Sequence, residues 1–343
     1  WRRPGVIEAF RVKLMEGMRE RGLSTEFAEL VFQQINGFGE YGFPESHAAS
    51  FALLVYASAY LKHHYPAEFC AALLNSQPMG FYAPAQLLRE VQTRGVAVRP
   101  VDVNHSRWDC TLEAGAIRLG LRMVSGLPRA AAVAIEAAQP FRSLDALRRL
   151  LPEHVVARLA RADAFASLEL GRRAALWQAL RPAAAGALLQ GLADDEPPLE
   201  LPALTPHEAV IADYATTGLS LKGHPLSSLR GKLQQLGVAT AASLATLPDG
   251  QQVKVAGIVL MRQRPATAKG ITFVTLEDET ASANLIVRPA VWERHYQVAR
   301  TATACLATGQ LQNQQGVIHV LVTRLDDLHT LLGKVRSVSR DFH

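Results

Sequence analysis

The chain has 343 residues, 49% apolar and 20% charged, enough hydrophobic material for two or three cored domains and too much for wholesale disorder. The formal net charge is +5, a mild excess that favours polyanions without naming one. Cys70, Cys110 and Cys305 lie far apart and form no CxxC pair, which argues against a disulfide framework or a zinc site and fits a reducing cytoplasm.

Taken in chain order, the first hundred residues read as helical. Ile7, Phe10, Leu14 and Met18 share one helical face, and Phe27, Leu30, Val31 and Ile35 share another that stops at Asn36 and Gly37. A glycine- and aromatic-rich loop runs from Gly37 to Pro44. The next helix, Ser46 to His64, is apolar on nearly all sides, the pattern of a helix in the middle of a domain. Its most apolar run, Ala48 to Leu61, falls short of the roughly 20 residues needed to span a bilayer, and no signal peptide is visible. The chain opens on Trp1 rather than Met, as a piece of a longer polypeptide would. Pro66 and Pro84 sit where first-turn prolines start helices, and Val96, Val98 and Val101 suggest an extended segment.

Residues 117–181 read as helical and Arg-rich. From Arg142 to Arg181 eight arginines face four acids. Residues 182–206 look like a Pro-containing linker. From Gln251 the period changes to two, through Val253/Val255, Val259/Met261, Phe273/Thr275, Leu285/Val287 and Val317/His319/Leu321, with Gly257 placed for a bulge and Gln312 to Gly316 for a hairpin turn. Short strands in this order suggest a small β-barrel of the oligonucleotide-binding (OB) kind. The expected fold class is therefore multi-domain: mainly α, followed by a small β-barrel.

Two segments carry nucleic-acid chemistry. Met123 to Ile135 has the form hydrophobic–x–Gly–hydrophobic followed by a small-residue helix, a helix-hairpin-helix pattern. Its glycine turn offers backbone N–H groups at a helix N-terminus, where a phosphate is attracted without regard to base sequence. Ser125, Gly126 and Arg129 form the turn, and Arg148, Arg149, Arg172 and Arg173 supply neighbouring charge for phosphate neutralisation. Ala160 to Phe165 could end a second, degenerate hairpin. In the barrel, Arg262, Arg264, Lys269 and Phe273 are candidates for gripping a single strand. An ordinary helix connection and solvated loop charges are the competing readings of the same residues. No Asp-x-Asp strand carries the carboxylates that a pair of catalytic metal ions needs. Asp194–Glu196, Glu277–Glu279 and Asp326–Asp327 read as solvated surface charge.

Phe38 to Ala52, Leu61 to Phe69 and Arg99 to Asn104 resemble the fingers of the bacterial C-family DNA polymerases, the polymerase III alpha type. The fit is closest to their error-prone, damage-inducible branch at Gly42–His47, Asn75–Tyr82, Gly218–Pro225, Arg262–Pro265, Phe273–Thr280 and Ser339–His343. That resemblance implies DNA-directed DNA synthesis and translesion bypass, with two Mg2+ held by a palm that lies outside this chain. It further implies that Tyr41 and His47 lie near the sugar of the incoming deoxynucleoside triphosphate. The implied partners are primer–template duplex, single-stranded template and, through accessory mutasome proteins, a sliding clamp, with no membrane. The expected modules are fingers (1–105), helix-hairpin-helix (106–185), linker and connecting helices (186–235), OB domain (236–330) and tail (331–343). Two rivals stand beside this reading: a free-standing, non-catalytic DNA-binding protein, and an RNA-binding OB module of a translation enzyme.

Overall fold

The computed structural model describes residues 6–41, 45–79, 82–181, 201–314, 316–328 and 340–342. The chain forms two compact units, Trp1–Pro66 and Ala67–His343.

In the first unit, helices α1 (Val6–Glu20) and α2 (Thr25–Tyr41) lie against each other. Ala28 and Phe32 are buried between them, and Arg11 reaches Glu29 while its guanidinium sits 5.3 Å from the Phe32 ring centroid, a geometry that adds cation–π attraction. Helix α2 continues to Tyr41, past the expected stop at Gly37. Helix α3 (Glu45–His64) is apolar all round yet exposed, with Leu53 at 70% and Tyr56 at 73%. The central position expected from its composition is not one that the described residues of this chain provide.

The second unit begins with α4 (Pro66–Asn75) and α5 (Pro84–Thr93), each opened by its proline. Strands β1 (Val98–Arg99), β2 (Thr111–Glu113) and β3 (Ala116–Arg118) form a small sheet in the order β1-β3-β2. It interrupts the stretch from residue 117 that reads as helical. Helices α6 (Arg129–Ala138), α7 (Leu144–Leu150), α8 (Glu153–Arg161) and α9 (Arg172–Ala179) follow. One core runs without a break from Ala67 through Leu74, Val91, Ile117, Ile135, Leu147 and Phe165 to Leu219. It therefore crosses the boundary near residue 105 expected between fingers and helix-hairpin-helix. Helix α10 (Pro206–Thr217) has a proline in its first turn and a Thr205/Glu208 capping box, which satisfies donors that a helix start leaves open. Helix α11 (Arg230–Gln235) leads into the barrel.

The barrel consists of β4 (Gln252–Gln263), β5 (Thr272–Glu277), β6 (Ser282–Val287), helices α12 (Pro289–Arg294) and α13 (Tyr296–Thr301), β7 (Ala304–Gln314) and β8 (Val317–Asp327). Strand β4 pairs with β7 along Gln252–Ile258 and with β5 from Ile258 onward, and the parallel pairing of β6 with β8 closes the ring. Where β4 changes partner, a Cβ on Gly257 would lie 2.7 Å from the Leu276 Cβ and 2.9 Å from the Glu277 backbone nitrogen. Glycine is thus required by close backbone approach, while the bulge expected there lies further on, between Val259 and Met261. Strand β9 (Arg340–Phe342) runs parallel to β4 at Met261–Gln263, so this part of the expected tail belongs to the sheet. Val253, Val255, Val274, Leu276, Leu285, Val287, Leu311 and Val320 fill the interior.

The acidic turn Glu277–Asp278–Glu279 is not the solvated surface its composition suggests. Asp278 is 0% exposed and accepts from Arg230 (2.9 Å), from the Ala241, Thr280 and Ala281 N–H groups (2.8, 2.7 and 3.0 Å) and from the Thr280 hydroxyl (2.6 Å). Glu279 accepts from Arg230, and Glu277 faces Arg89 of α5 at 3.4 Å and His224 at 3.8 Å. Arg89 also donates to the Asp278 carbonyl. The turn therefore joins barrel, connector and α5, and the two arginines offset the several kcal/mol that burying each carboxylate would otherwise cost.

A cavity of about 330 Å3 beside this joint is lined by Arg89, Tyr214, His224 and Glu277. The His224 Nδ1 accepts the Leu226 N–H at 3.2 Å, which puts the ring proton on Nε2. Burial, aided by the guanidinium of Arg89, lowers its pKa from 6.5 to about 3. The unfolded chain takes a proton here below pH 6.5 and the folded chain does not. The stabilisation is complete above 6.5 and is lost as pH falls from there towards 3, with a limiting slope of about 1.4 kcal/mol per pH unit. Replacing His224 by Gln is expected to flatten the dependence of the thermal midpoint on pH between 6.5 and about 4; an unchanged slope would show that the imidazole is not responsible.

Candidate nucleic-acid interface

The hairpin before α6 is a turn of 3-10 helix at Leu121–Met123, a bend through Gly126 at φ +71°, and the start of α6 behind Pro128. The helix preceding the turn is thus a single short one. Ser125, Gly126 and Arg129 are all exposed. The Ser125 N–H donates to the Thr216 carbonyl at the end of α10 (2.8 Å), and Leu127 closes the turn on Val124 (3.1 Å). Among the described residues no acceptor meets the N–H groups of Gly126, Arg129 or Ala130, and none pairs with the Arg129 guanidinium beside them. These donors, at a helix N-terminus, can receive an anion. Arg158 crosses behind the turn and donates to the Ser125 carbonyl at 2.6 Å.

The other arginines divide. Arg149 is exposed and unpaired among the described residues. Arg148 is half-buried and committed to the Arg181 carbonyl and Asp145. Arg173 donates to the Pro202 carbonyl at 2.7 Å and faces Glu208. Arg172 is 7% exposed, ion-paired with Asp213 and bonded to the Ala209 carbonyl at 3.0 Å. Assigning it to DNA is corrected by that geometry, since a guanidinium sealed between α9 and α10 cannot reach a phosphate. Arg262 is corrected for the same reason: at 7% exposure it donates to the Ala299 and Ala302 carbonyls, fastening β4 to the end of α13.

The barrel's outward face is a cross-strand row. Gln263 pairs with Phe273, Phe273 with Ile286, and Ile286 with Leu321, and direct partners share a face. All four are partly exposed. Arg264 and Lys269 stand on the loop between β4 and β5, both exposed and unpaired among the described residues. A Cβ on Gly270 would lie 3.3 Å from Pro289 and 3.4 Å from Arg264, so the loop lies next to the end of β6, where Arg288 is also exposed. Sequence pattern does not single out Arg288, because no motif surrounds it. His319 and Gln312 pair across β8 and β7 beside a groove of about 650 Å3, and the buried Nδ1 of His319 has no hydrogen-bond partner among the described residues. The alternation of Val317, His319 and Leu321 is the signal in the sequence that could have found it. Cations, one aromatic ring and amides thus lie along one face of the barrel.

The side chains of Tyr41 and His47 lie outside the described residues; Tyr41 ends α2 and His47 is in the first turn of α3. Cys70, Cys110 and Cys305 are buried free thiols, with burial pushing Cys70 and Cys305 up to about 12. Among the described residues no helix is long and apolar enough to cross a membrane.

Gly126→Ala puts a side chain in the left-handed region and its Cβ at 2.1 Å from Arg158 Nη1, costing about 1–2 kcal/mol through the backbone alone. The expected result is a lower thermal midpoint with weakened duplex affinity; a variant with unchanged midpoint and affinity would show that the turn does not need its left-handed bend.

Residues 95–175 match the model of a helix-hairpin-helix motif, and residues 253–328 match that of an OB-fold nucleic acid binding domain. Over its whole length the chain is 55% identical to an error-prone DNA polymerase of Rhodopirellula baltica, 50% to one of Azoarcus sp. and 47% to one of Alkalilimnicola ehrlichii. It spans about a third of these relatives, 31%, 34% and 34% of their respective lengths. Among solved structures, an asparaginyl-tRNA synthetase from Pyrococcus horikoshii aligns at 19% identity and a TM-score of 0.24, over 30% of this chain and 24% of that one; so slight a likeness says nothing of function. By the relatives, the hairpin and the closed barrel together, the chain is similar over its whole length to a segment of error-prone DNA polymerases.

Proposed function

We propose that this chain is the nucleic-acid-holding, C-terminal segment of an error-prone DNA-directed DNA polymerase, a nucleotidyltransferase that copies past damaged bases during DNA repair in the cytoplasm. The observation that carries the reading is the Gly126 turn, where three N–H donors and one arginine are open at the surface among the described residues. It grips the duplex backbone behind the active site, where binding must be blind to sequence so that the product can slide. The outward face of the barrel holds single-stranded template. The first unit, with Tyr41 and His47, serves the incoming deoxynucleoside triphosphate. The bare apolar surface of α3 supports packing against the rest of a polymerase three times as long. Access to a sliding clamp runs through accessory mutasome proteins.

Bond formation belongs elsewhere. The two magnesium ions of polymerisation need carboxylates with free lone pairs, and the acidic turn fits them poorly: Asp278 is buried and taken by Arg230 and three backbone N–H groups, and Glu279 is paired with Arg230. We assign the metals to a palm outside this segment, and primer extension by the isolated chain should be absent.

Duplex binding measured against salt tests the reading. Arg129→Ala combined with Arg149→Ala should weaken affinity and reduce the slope of log K against log salt by up to about two units, about 0.9 for each phosphate that is no longer neutralised. Arg172→Ala should instead lower the thermal midpoint. A slope unaltered by the double substitution would remove these arginines from the interface.

A further inference from the structure

The chain contains a second turn of the same kind, and it is finished differently. Helix α8 ends in a bend through Asp163, whose φ of +60° takes the left-handed position that Gly126 takes in the first, and a 3-10 turn, Ala166–Leu168, follows. Here several of the donors are used, while among the described residues no acceptor meets the N–H of the exposed Ala166. The Asp163 N–H bonds the Ala160 carbonyl (3.0 Å) and the Ala164 N–H bonds Leu159 (3.1 Å). The Ser167 N–H, at the start of the short helix, donates to the Asp102 carboxylate at 2.9 Å. Asp102 is buried at 3% and tied down on every side. Its other oxygen accepts from Asn104 (2.8 Å), its N–H donates to Ser106 Oγ (3.0 Å), and the neighbouring Val103 N–H reaches the Ala164 carbonyl (2.9 Å).

We propose that Asp102 is a built-in anion that fills the second hairpin, so the duplex is gripped through the first hairpin alone and the second serves to lock the connector. The proposal rests on the duplex-binding reading above. A carboxylate against a helix-start N–H satisfies the same donor that a phosphate oxygen would, and with the Ser167 N–H so taken the second seat has fewer donors for DNA than the first. On the outward side of the second turn Asp163 and Lys222 neutralise each other. Asp163 there holds Lys222 at 2.6 Å and faces Arg172 at 3.8 Å. Arg172 in turn pairs with Asp213, which accepts from Ser220 at 2.7 Å. Asp163, Lys222, Arg172 and Asp213 thus clamp α10 and the segment after it onto α8 and α9. The far end of α10 presents the Thr216 carbonyl to Ser125. The locked hairpin thereby positions the open one.

Two exposed positions distinguish the hairpins without disturbing the core: Ser125 at the first and Ala166 at the second. In low-salt duplex titrations of the full chain, Ser125→Glu should weaken binding about tenfold by placing a charge against phosphate, and Ala166→Glu should change it by no more than about twofold. Residue-resolved amide exchange on the free chain supplies an arm that needs no DNA: Ser167 should be protected, and Gly126, Arg129 and Ala130 should exchange freely. Equal loss of affinity in the two variants, or free exchange at Ser167, would overturn the proposal. If the unsubstituted chain binds no duplex, the one-hairpin grip falls with the reading it rests on, and the exchange contrast still decides whether Asp102 fills its seat.

Discussion

A backbone N–H with no acceptor inside a protein must find one outside it, and where such groups are left open determines what the molecule can hold. Among the described residues of this chain the Gly126, Arg129 and Ala130 N–H groups are left open at the first turn, whereas the Asp163, Ala164 and Ser167 N–H groups find internal acceptors at the second. The difference does not lie in secondary structure, since both turns pass through a left-handed residue between helical segments. It lies in whether a carboxylate is available from within. Asp102 reaches the second turn, and no described acid reaches the first. An open donor at a helix start costs little while water solvates it and becomes a strong hydrogen bond once an anion arrives.

The rest of the second unit serves to present that turn and the barrel face. The acidic turn of the barrel is held by Arg89 from α5 and Arg230 from α11. It lies at the end of β5 and β6 away from Arg264, Lys269 and Arg288, six residues or about 17 Å along the strand. Attachment thus uses one end of the barrel and leaves the basic end free. Buried ion pairs of this kind add little net stability compared with apolar packing, and their value is a fixed orientation.

Much of this was legible in the sequence because it rests on short-range rules. The period-two alternation and Gly257 marked the barrel, the Val124–Leu127 pattern marked the hairpin, and Pro66 and Pro84 marked helix starts. What could not be read was which way a charge points. Arg172 and Arg173 are adjacent in an Arg-rich stretch, yet one is sealed against Asp213 and both are taken by internal partners. Arg262 and Arg264 are two residues apart, yet the first, still in β4, turns under α13 and the second, on the loop beyond the strand, stays outside. Glu277–Glu279 looked solvated because the residues that bury it lie up to 189 positions away. Of the small sheet only β1 was visible, within the extended segment of Val96, Val98 and Val101; β2 and β3, at three residues each, carry too few side chains to show a period.

The most direct test is to map where each portion of a primer–template lies on the chain, using photoreactive groups placed separately in the duplex and in the single-stranded overhang. The duplex groups should label peptides around residues 125–130, and the overhang groups should label the barrel between residues 263 and 288. Duplex groups that label the barrel, or that label the Asp163 turn as heavily as the Gly126 turn, would contradict the account.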